Sequence, residues 1–407
     1  KKMQQSFPSE IDQQIDTPKL AMPQTIIAGM KDKHTLNRSM HHIIRMLYSC
    51  LVDADFLDTE NFMDAEHSRL RNGKATLAEL APKLDAYLDN ISKCATKNSL
   101  NSLRQQIQNK CKDMAETESG VLSLTVPTGG GKTLSSLVWA INHALKHGKK
   151  RIIIAIPYTS IVTQTAEILS NIFGRENVLE HHSNNDIQKI KDEKLQWKMK
   201  LATENWDYPI IVTTNVQLIE SMMSNKPSTC RKLHNICNSV LILDEVQTLP
   251  LEHLQPIVDT LQTYQRIFGV SILFTTASLP ALRGDICWGR SGKCKLRGID
   301  KITEIIPDEW QLHDKLRRTK LLINYNPIDG RTLADRLANH DRVLCIVNTR
   351  KEAKSIYEAL PDDGLKIHLS RMMCSAHLRK AINEVKTKLK DDSQKVIRVV
   401  ATQLIEA

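Results

Sequence analysis

Two short stretches carry residue types that could do chemistry together. In the first, Pro127-Thr128-Gly129-Gly130-Gly131-Lys132-Thr133 sets successive glycines ahead of a lysine and a threonine. Glycines free the backbone to curl with its N–H groups pointing inward, and a helix starting there adds partial positive charge. Such a loop would cradle the phosphates of ATP through Thr128, Gly129, Gly130 and Gly131. Lys132 would reach the β- and γ-phosphates, and the Thr133 hydroxyl would hold Mg²⁺. In the second stretch, Asp244-Glu245 closes an apolar run. Asp244 would support the same Mg²⁺, and Glu245 would orient and deprotonate an attacking water. The strict phosphate-loop signature has another glycine where Val126 stands, so the reading rests on what surrounds the loop.

The surroundings fit. Val121-Leu122-Ser123-Leu124-Thr125-Val126 reads as a buried strand entering the loop, and Leu134 to His147 as a helix leaving it. Further β-branched runs follow at Arg151–Pro157, Ile210–Thr214, Val240–Leu243 and Ser271–Thr275, with a helix over Ile161–Phe173. Near-continuous apolar strands alternating with helices predict a parallel sheet covered on both faces. Asp244-Glu245 then sits at the C-terminal end of its strand. The rhythm restarts near residue 312, with strands at Val343–Val347, Ile367–Ser370 and Val396–Val400. The expected class is therefore α/β, with one lobe over 96–311 and a second, incomplete one over 312–407.

A chain of 407 residues, 41% hydrophobic, can build two or three cores. Its formal charge of +10 suits a polyanionic partner, while 4% aromatic residues leave little for base stacking. The nine cysteines form no CxxC pair and read as reduced thiols. No apolar run reaches membrane-span length and no signal peptide is visible, so the expected setting is cytoplasmic, without membrane. Both ends look cut from something larger.

Ahead of the loop, Met40, Ile44, Leu47 and Leu51 share one stripe of a helix, and Asp55 continues it, while Asp53 lies off it. A carboxylate at a core-facing position must be paired, hydrogen-bonded or metal-bound. On spacing alone, a helix-end residue or an ion-pair partner is the commoner role, and His41, His42 and the later His181-His182 read as packed or solvated.

The loop in the form Pro-Thr-Gly-x-Gly-Lys-Thr resembles superfamily 2 helicases. The stretch from Arg45 to Glu60 resembles the last metal-ligand helix of an HD nuclease domain. Together they resemble the CRISPR-associated helicase-nucleases of type I systems, and Asp244-Glu245-Val246-Gln247 resembles a type I-C-like subtype. The resemblance implies that 1–95 is the C-terminal part of an HD domain plus a linker, and that the two lobes are RecA-like. Asp55 would then ligate a divalent transition metal, its companion ligands lying outside the recognisable sequence. Gln247 takes the place where many such helicases have histidine, and could sense the γ-phosphate across the lobe cleft. Pro157, Thr159 and Ser160, and Thr213, Thr214 and Asn215, occupy the turns that grip the DNA backbone, and both turns could equally be helix caps. Thr276-Ala277-Ser278 matches a motif that couples nucleotide state to grip, and Arg350 and Thr402 match backbone contacts of the second lobe. The implied function is ATP-driven movement on single-stranded DNA, the displaced non-target strand, coupled to HD-domain cutting after a crRNA-guided surveillance complex (Cascade) opens the target. An RNA-remodelling helicase and a nucleotide-gated scaffold without catalysis are the alternatives.

Overall fold

The structure, a computed structural model, describes residues 33–94, 98–183, 187, 190–278, 280, 282–287, 294–317, 319–370, 372–391 and 395–402. The proline-bearing stretch before residue 33 and the end after Thr402 lie outside them. The chain divides after Arg317 into two compact units.

The first unit begins with helices α1 (Lys33–Met63), α2 (Ala65–Arg69), α3 (Leu77–Cys94) and α4 (Ser99–Asp113). Strands and helices then alternate through β1 (Val121–Thr125), α5 (Lys132–Lys146), β2 (Arg151–Ile156), α6 (Thr159–Phe173), β3 (Val178–His181) and α7 (Glu193–Asn205). The alternation continues through β4 (Ile210–Thr214), α8 (Asn215–Met223), α9 (Pro227–Cys230), α10 (Leu233–Ile236), β5 (Ser239–Asp244), α11 (Leu254–Ile267) and β6 (Ser271–Thr276). The antiparallel pair β7 (Asp285–Cys287) and β8 (Cys294–Arg297), then β9 (Thr303–Glu304) and α12 (Leu312–Lys315), complete it.

Among the described residues, seven strands form one parallel sheet in the order β3-β4-β2-β5-β6-β1-β9. Its apolar runs are buried on both faces because alternate side chains feed two cores. Ile152, Ile154, Val240 and Ile242 pack with α3, α4, α5 and α6. Ile153, Ala155, Leu241 and Leu243 pack with α1, α7, α8, α10 and α11. The expected strands and the α/β class are present. Two edge strands, β3 and β9, escape sequence reading because they are short. Glu304 holds β9 in place by accepting hydrogen bonds from Ser123 Oγ (2.7 Å), Thr125 Oγ1 (2.7 Å) and Thr125 N–H (3.0 Å).

Helix α1 corrects the sequence reading. Met40, Ile44, Leu47 and Leu51 are exposed, and Asp55 is exposed with them. The buried face is the opposite one: Ser39, His42, Ile43, Met46, Ser49, Val52 and Asp53. Periodicity selects the most apolar stripe as the inward one, but the surface that receives α1 is mixed, apolar around Ile43 and Met46 and polar elsewhere. Arg45 donates to the Ser224 carbonyl, Ser49 Oγ to the Cys230 carbonyl at 2.6 Å, and Asp53 accepts from Arg231 Nε at 2.7 Å and Asn205 Nδ2 at 3.1 Å. His234 Nε2 lies 3.4 Å from the same carboxylate. The carboxylate demanding a partner is thus Asp53, 3% exposed, and Arg231, 4% exposed, is that partner.

The second unit consists of α13 (Gly330–Ala338), β10 (Arg342–Val347), α14 (Arg350–Ala359), β11 (Leu365–Leu369), α15 (Ser375–Lys390) and β12 (Ile397–Thr402). Its strands pair in parallel in the order β10-β12-β11.

Breaking one side of a buried ion pair leaves an uncompensated charge. Arg231→Met is expected to lower the stability of the first unit by about 3–5 kcal/mol in urea unfolding, and Asp53→Leu with Arg231→Met to recover most of that loss. Asp55→Ala, on the exposed face, should change it by less than about 0.5 kcal/mol.

Candidate nucleotide site

The C-terminal edge of the sheet assembles the site, as parallel topology requires of a ligand site. β1 runs into the glycine loop and α5 leaves it. Gly131 adopts φ +87°, a left-handed conformation that a Cβ would strain. At Gly130 a Cβ would fall 2.4 Å from Val126 Cγ1 and 3.1 Å from the Pro127 carbonyl oxygen. This accounts for Val126 in place of the expected glycine: its buried side chain fills the space that Gly130 leaves empty. No side chain caps α5, so its first-turn N–H groups remain available for an anion. Thr128, Gly129 and Thr133 are exposed at the mouth of the loop.

Lys132 and Glu245 meet. Lys132 Nζ donates to Glu245 Oε1 at 2.6 Å, their side chains 14% and 29% exposed. Glu245 takes φ +47°, unusual for a residue other than glycine, and so turns its carboxylate back toward the loop. Asp244 Oδ1 accepts from its neighbour's N–H at 3.0 Å and from Thr275 Oγ1 at 2.5 Å. Burial raises the Asp244 pKa, and Glu245 beside it adds to that, while the Thr275 hydrogen bond and Lys132 pull the other way. Two carboxylates against one ammonium leave room for a cation. The donor set, a carboxylate and the Thr133 hydroxyl, is the hard-oxygen chemistry that Mg²⁺ takes.

Strand β6 lies between β5 and β1 and therefore touches both sides of the site. Thr275 is the register partner of Asp244. Thr276 Oγ1 lies 2.6 Å from Gln247 Oε1, and Gln247 Nε2 donates to Glu245 Oε2 at 2.6 Å. Gln247 thus links Glu245 to the Thr276-Ala277-Ser278 turn inside the first unit. Thr276 also receives the Ser278 N–H at 3.1 Å.

The turns proposed for backbone contact also lie on this edge, and they differ from one another. After β2, Thr159 opens α6 without capping it, and Ser160 is exposed while Pro157 is half-buried. After β4, Thr214 caps α8 by accepting the Gln217 N–H at 3.1 Å. Thr213 is fully buried, its hydroxyl donated to the His181 carbonyl at 2.7 Å, and Asn215 is buried as well. The open groups of that turn are Val216 and Gln217. In the second unit Arg350 is exposed at the start of α14, and Thr402 ends β12 as the register partner of Val347, three residues before Arg350. Asp55 stands apart from all of these, and among the described residues no three His, Cys, Asp or Glu side chains converge on a metal position. Sequence reading missed Thr275 and Arg104. Arg104 reaches the loop from α4, donating twice to the Gly129 carbonyl (3.0 and 2.7 Å), and an arginine on a polar helix gives no local signal of this.

Residues 105–284 match the DEAD/DEAH box helicase family. The chain is similar to a putative CRISPR-associated nuclease/helicase Cas3 of Methanocaldococcus jannaschii, 26% identical over 72% of this chain and 42% of that protein. It is also similar to the CRISPR-associated nuclease/helicase Cas3 of Methanothermobacter thermautotrophicus, 26% identical over 70% of this chain and 34% of that one. The chain therefore spans less than half the length of these curated relatives. Its fold is similar to that of T. fusca Cas3 crystallised with AMPPNP, at a TM-score of 0.54 and 15% identity, over 82% of this chain and 42% of that one. That structural likeness is one of fold: an α/β parallel sheet of RecA-like architecture. Among the described residues no helix is long and apolar enough to cross a membrane.

If the Gln247 bridge positions Glu245, Gln247→Ala and Thr276→Val should each lower nucleotide turnover about tenfold with nucleotide affinity retained. The double variant should fall well short of the roughly hundredfold loss that independent effects give. Steady-state turnover with a parallel binding titration checks it.

Proposed function

We propose that this protein is an ATP-driven motor on single-stranded DNA. The observation that carries this reading is the Lys132–Glu245–Gln247–Thr276 chain, which ties the phosphate loop to a water-activating carboxylate and to a turn on β6. Lys132 is held ready for the terminal phosphates. Glu245, freed from Lys132 when phosphates take that lysine, orients a water and accepts its proton. Gln247 keeps the carboxylate aimed and passes its position to Thr276. Thr133 and Asp244 would hold Mg²⁺, which when bound neutralises charge on the phosphates. Ser160, Thr159 and the turn after β4, with Arg350 and Thr402 of the second unit, are the proposed backbone contacts. They recognise phosphate and not base, which fits a motor that must ignore sequence. The basic balance of the chain serves the same partner.

The finer reading adds a nuclease. The exposed apolar stripe of α1, Met40, Ile44, Leu47 and Leu51, has no counterpart in the core of the first unit and ends at exposed Asp55. A helix apolar on one face and polar-docked on the other is suited to joining two bodies. We assign the polar face to the motor and the apolar face to an HD nuclease, with Asp55 as one ligand of its metal. The displaced strand opened by a crRNA-guided surveillance complex is the proposed substrate, in the cytoplasm.

Lys132→Ala and Glu245→Gln are expected to lower DNA-stimulated ATP hydrolysis by about 10²–10⁴-fold while DNA binding at low salt persists. Unchanged turnover in either, or equal stimulation by RNA, would overturn the assignment. In the protein bearing its whole nuclease domain, Asp55→Ala should abolish cutting and spare ATPase; loss of both would make Asp55 a folding residue.

A further inference from the structure

The phosphate loop is held from outside by a residue that no motif names. Arg104 lies on α4, which is fixed to the core by fully buried Ile107 and Cys111. Its Nε and Nη2 both donate to the carbonyl oxygen of Gly129, at 3.0 and 2.7 Å. Its Nη1 donates to Asn101 Oδ1 at 3.2 Å, one turn earlier on the same helix. The aliphatic stem lies along the loop: a Cβ at Gly131 would meet Arg104 Cγ at 3.5 Å and Cδ at 3.8 Å.

These contacts fix one peptide plane. The unit joining Gly129 to Gly130 is pinned at both ends, its carbonyl by Arg104 and its N–H by the Pro127 carbonyl at 3.0 Å. A phosphate loop works only if its carbonyls point away from the anion; the Gly130 N–H is taken by Pro127, so the donors left for the anion are the N–H groups from Gly131 onward. With three successive glycines the backbone has many alternatives, and each lowers the fraction of loops ready to bind. A guanidinium drawing one carbonyl outward removes most of them, and its charge favours an anion nearby.

We infer that Arg104 is a positioning residue for the triphosphate: it pre-sets the glycine loop by holding the Gly129 carbonyl. The inference rests on the nucleotide-site reading above. Arg104 touches loop backbone, so its effect scales with phosphate and is indifferent to base and sugar.

The experiment measures equilibrium binding of ATP, ADP and adenosine, with amide hydrogen exchange of the loop, in the whole protein and in Arg104→Ala, Arg104→Lys and Lys132→Ala. Hydrogen bonds from a charged donor set the expected scale: Arg104→Ala should bind ATP and ADP roughly ten- to a hundredfold more weakly, with adenosine unchanged. Arg104→Lys, which keeps one donor and the charge, should recover part of the loss. Exchange should quicken at Gly130, whose N–H the Pro127 carbonyl holds, and nowhere in the sheet, a readout that general destabilisation does not give. Equal weakening of adenosine would place Arg104 on the base or sugar and overturn the inference. So would unchanged ATP affinity with unchanged loop exchange. If Arg104→Ala fails to fold, Arg104→Lys with slowed or unaltered loop exchange and full ATP affinity overturns it on its own. Loss of ATP binding in Lys132→Ala beside normal binding in Arg104→Ala sinks this inference alone, whereas normal ATP binding in Lys132→Ala sinks the nucleotide site itself.

Discussion

Everything at the sheet edge depends on the ion pair between Lys132 and Glu245, residues separated by 113 positions in the chain. The pair is partly open to solvent, so it adds little to stability. Its worth is positional. It brings the lysine proposed to meet a terminal phosphate against the carboxylate proposed to activate water, each holding the other in the absence of phosphate. The geometry follows from topology. β5 and β1 are not neighbours, so their loops can meet only across β6, and β6 therefore supplies Thr275 to Asp244 and Thr276 to Gln247.

The N-terminal helix obeys a different rule. A surface helix ordinarily turns its apolar stripe inward because that burial favours folding. Here α1 is held by Asp53 to Arg231, Ser49 to the Cys230 carbonyl and Arg45 to the Ser224 carbonyl. Each donor or acceptor demands a particular partner at a particular distance, so the polar seam fixes the helix's register on the lobe more sharply than apolar contact would. Ile43, Met46 and Val52 add some apolar contact between these anchors. The seam lands on α8, α9 and α10, the short helices that follow the turn after β4. Hydrogen bonds therefore connect the helix bearing Asp55 to the helices that follow the turn proposed to touch nucleic acid backbone.

Local patterns explain what the sequence revealed. The loop, the Asp-Glu pair and the five central strands are each written in consecutive residues, where glycine freedom, strand-end position and β-branched runs act over a few positions. What stayed hidden depends on distant partners. Periodicity favours Asp55 over Asp53 until Arg231, far along the chain, reverses the choice. Thr213 looks like a free hydroxyl until the His181 carbonyl takes it. β9 is two residues long and exists because Glu304 finds Ser123 and Thr125. In each case a polar group was satisfied by something that periodicity cannot see.

Gln247 bridges the acidic pair and the β6 turn in a way that suits its amide. A glutamine side chain offers both a donor and an acceptor on one planar group, with no dependence on protonation. Its amide nitrogen serves Glu245 and its oxygen faces Thr276, so the two ends report on each other directly. A histidine in that place could do the same only in one tautomer, and would change charge near neutral pH. The link from the acidic pair to the β6 turn is therefore insensitive to pH across the range where an imidazole would titrate. A displacement of Glu245 of the size that phosphate competition for Lys132 would cause must move Gln247 or break a hydrogen bond to it. Because Thr276 also secures the N–H of Ser278, that displacement reaches the end of β6 without any further group being required.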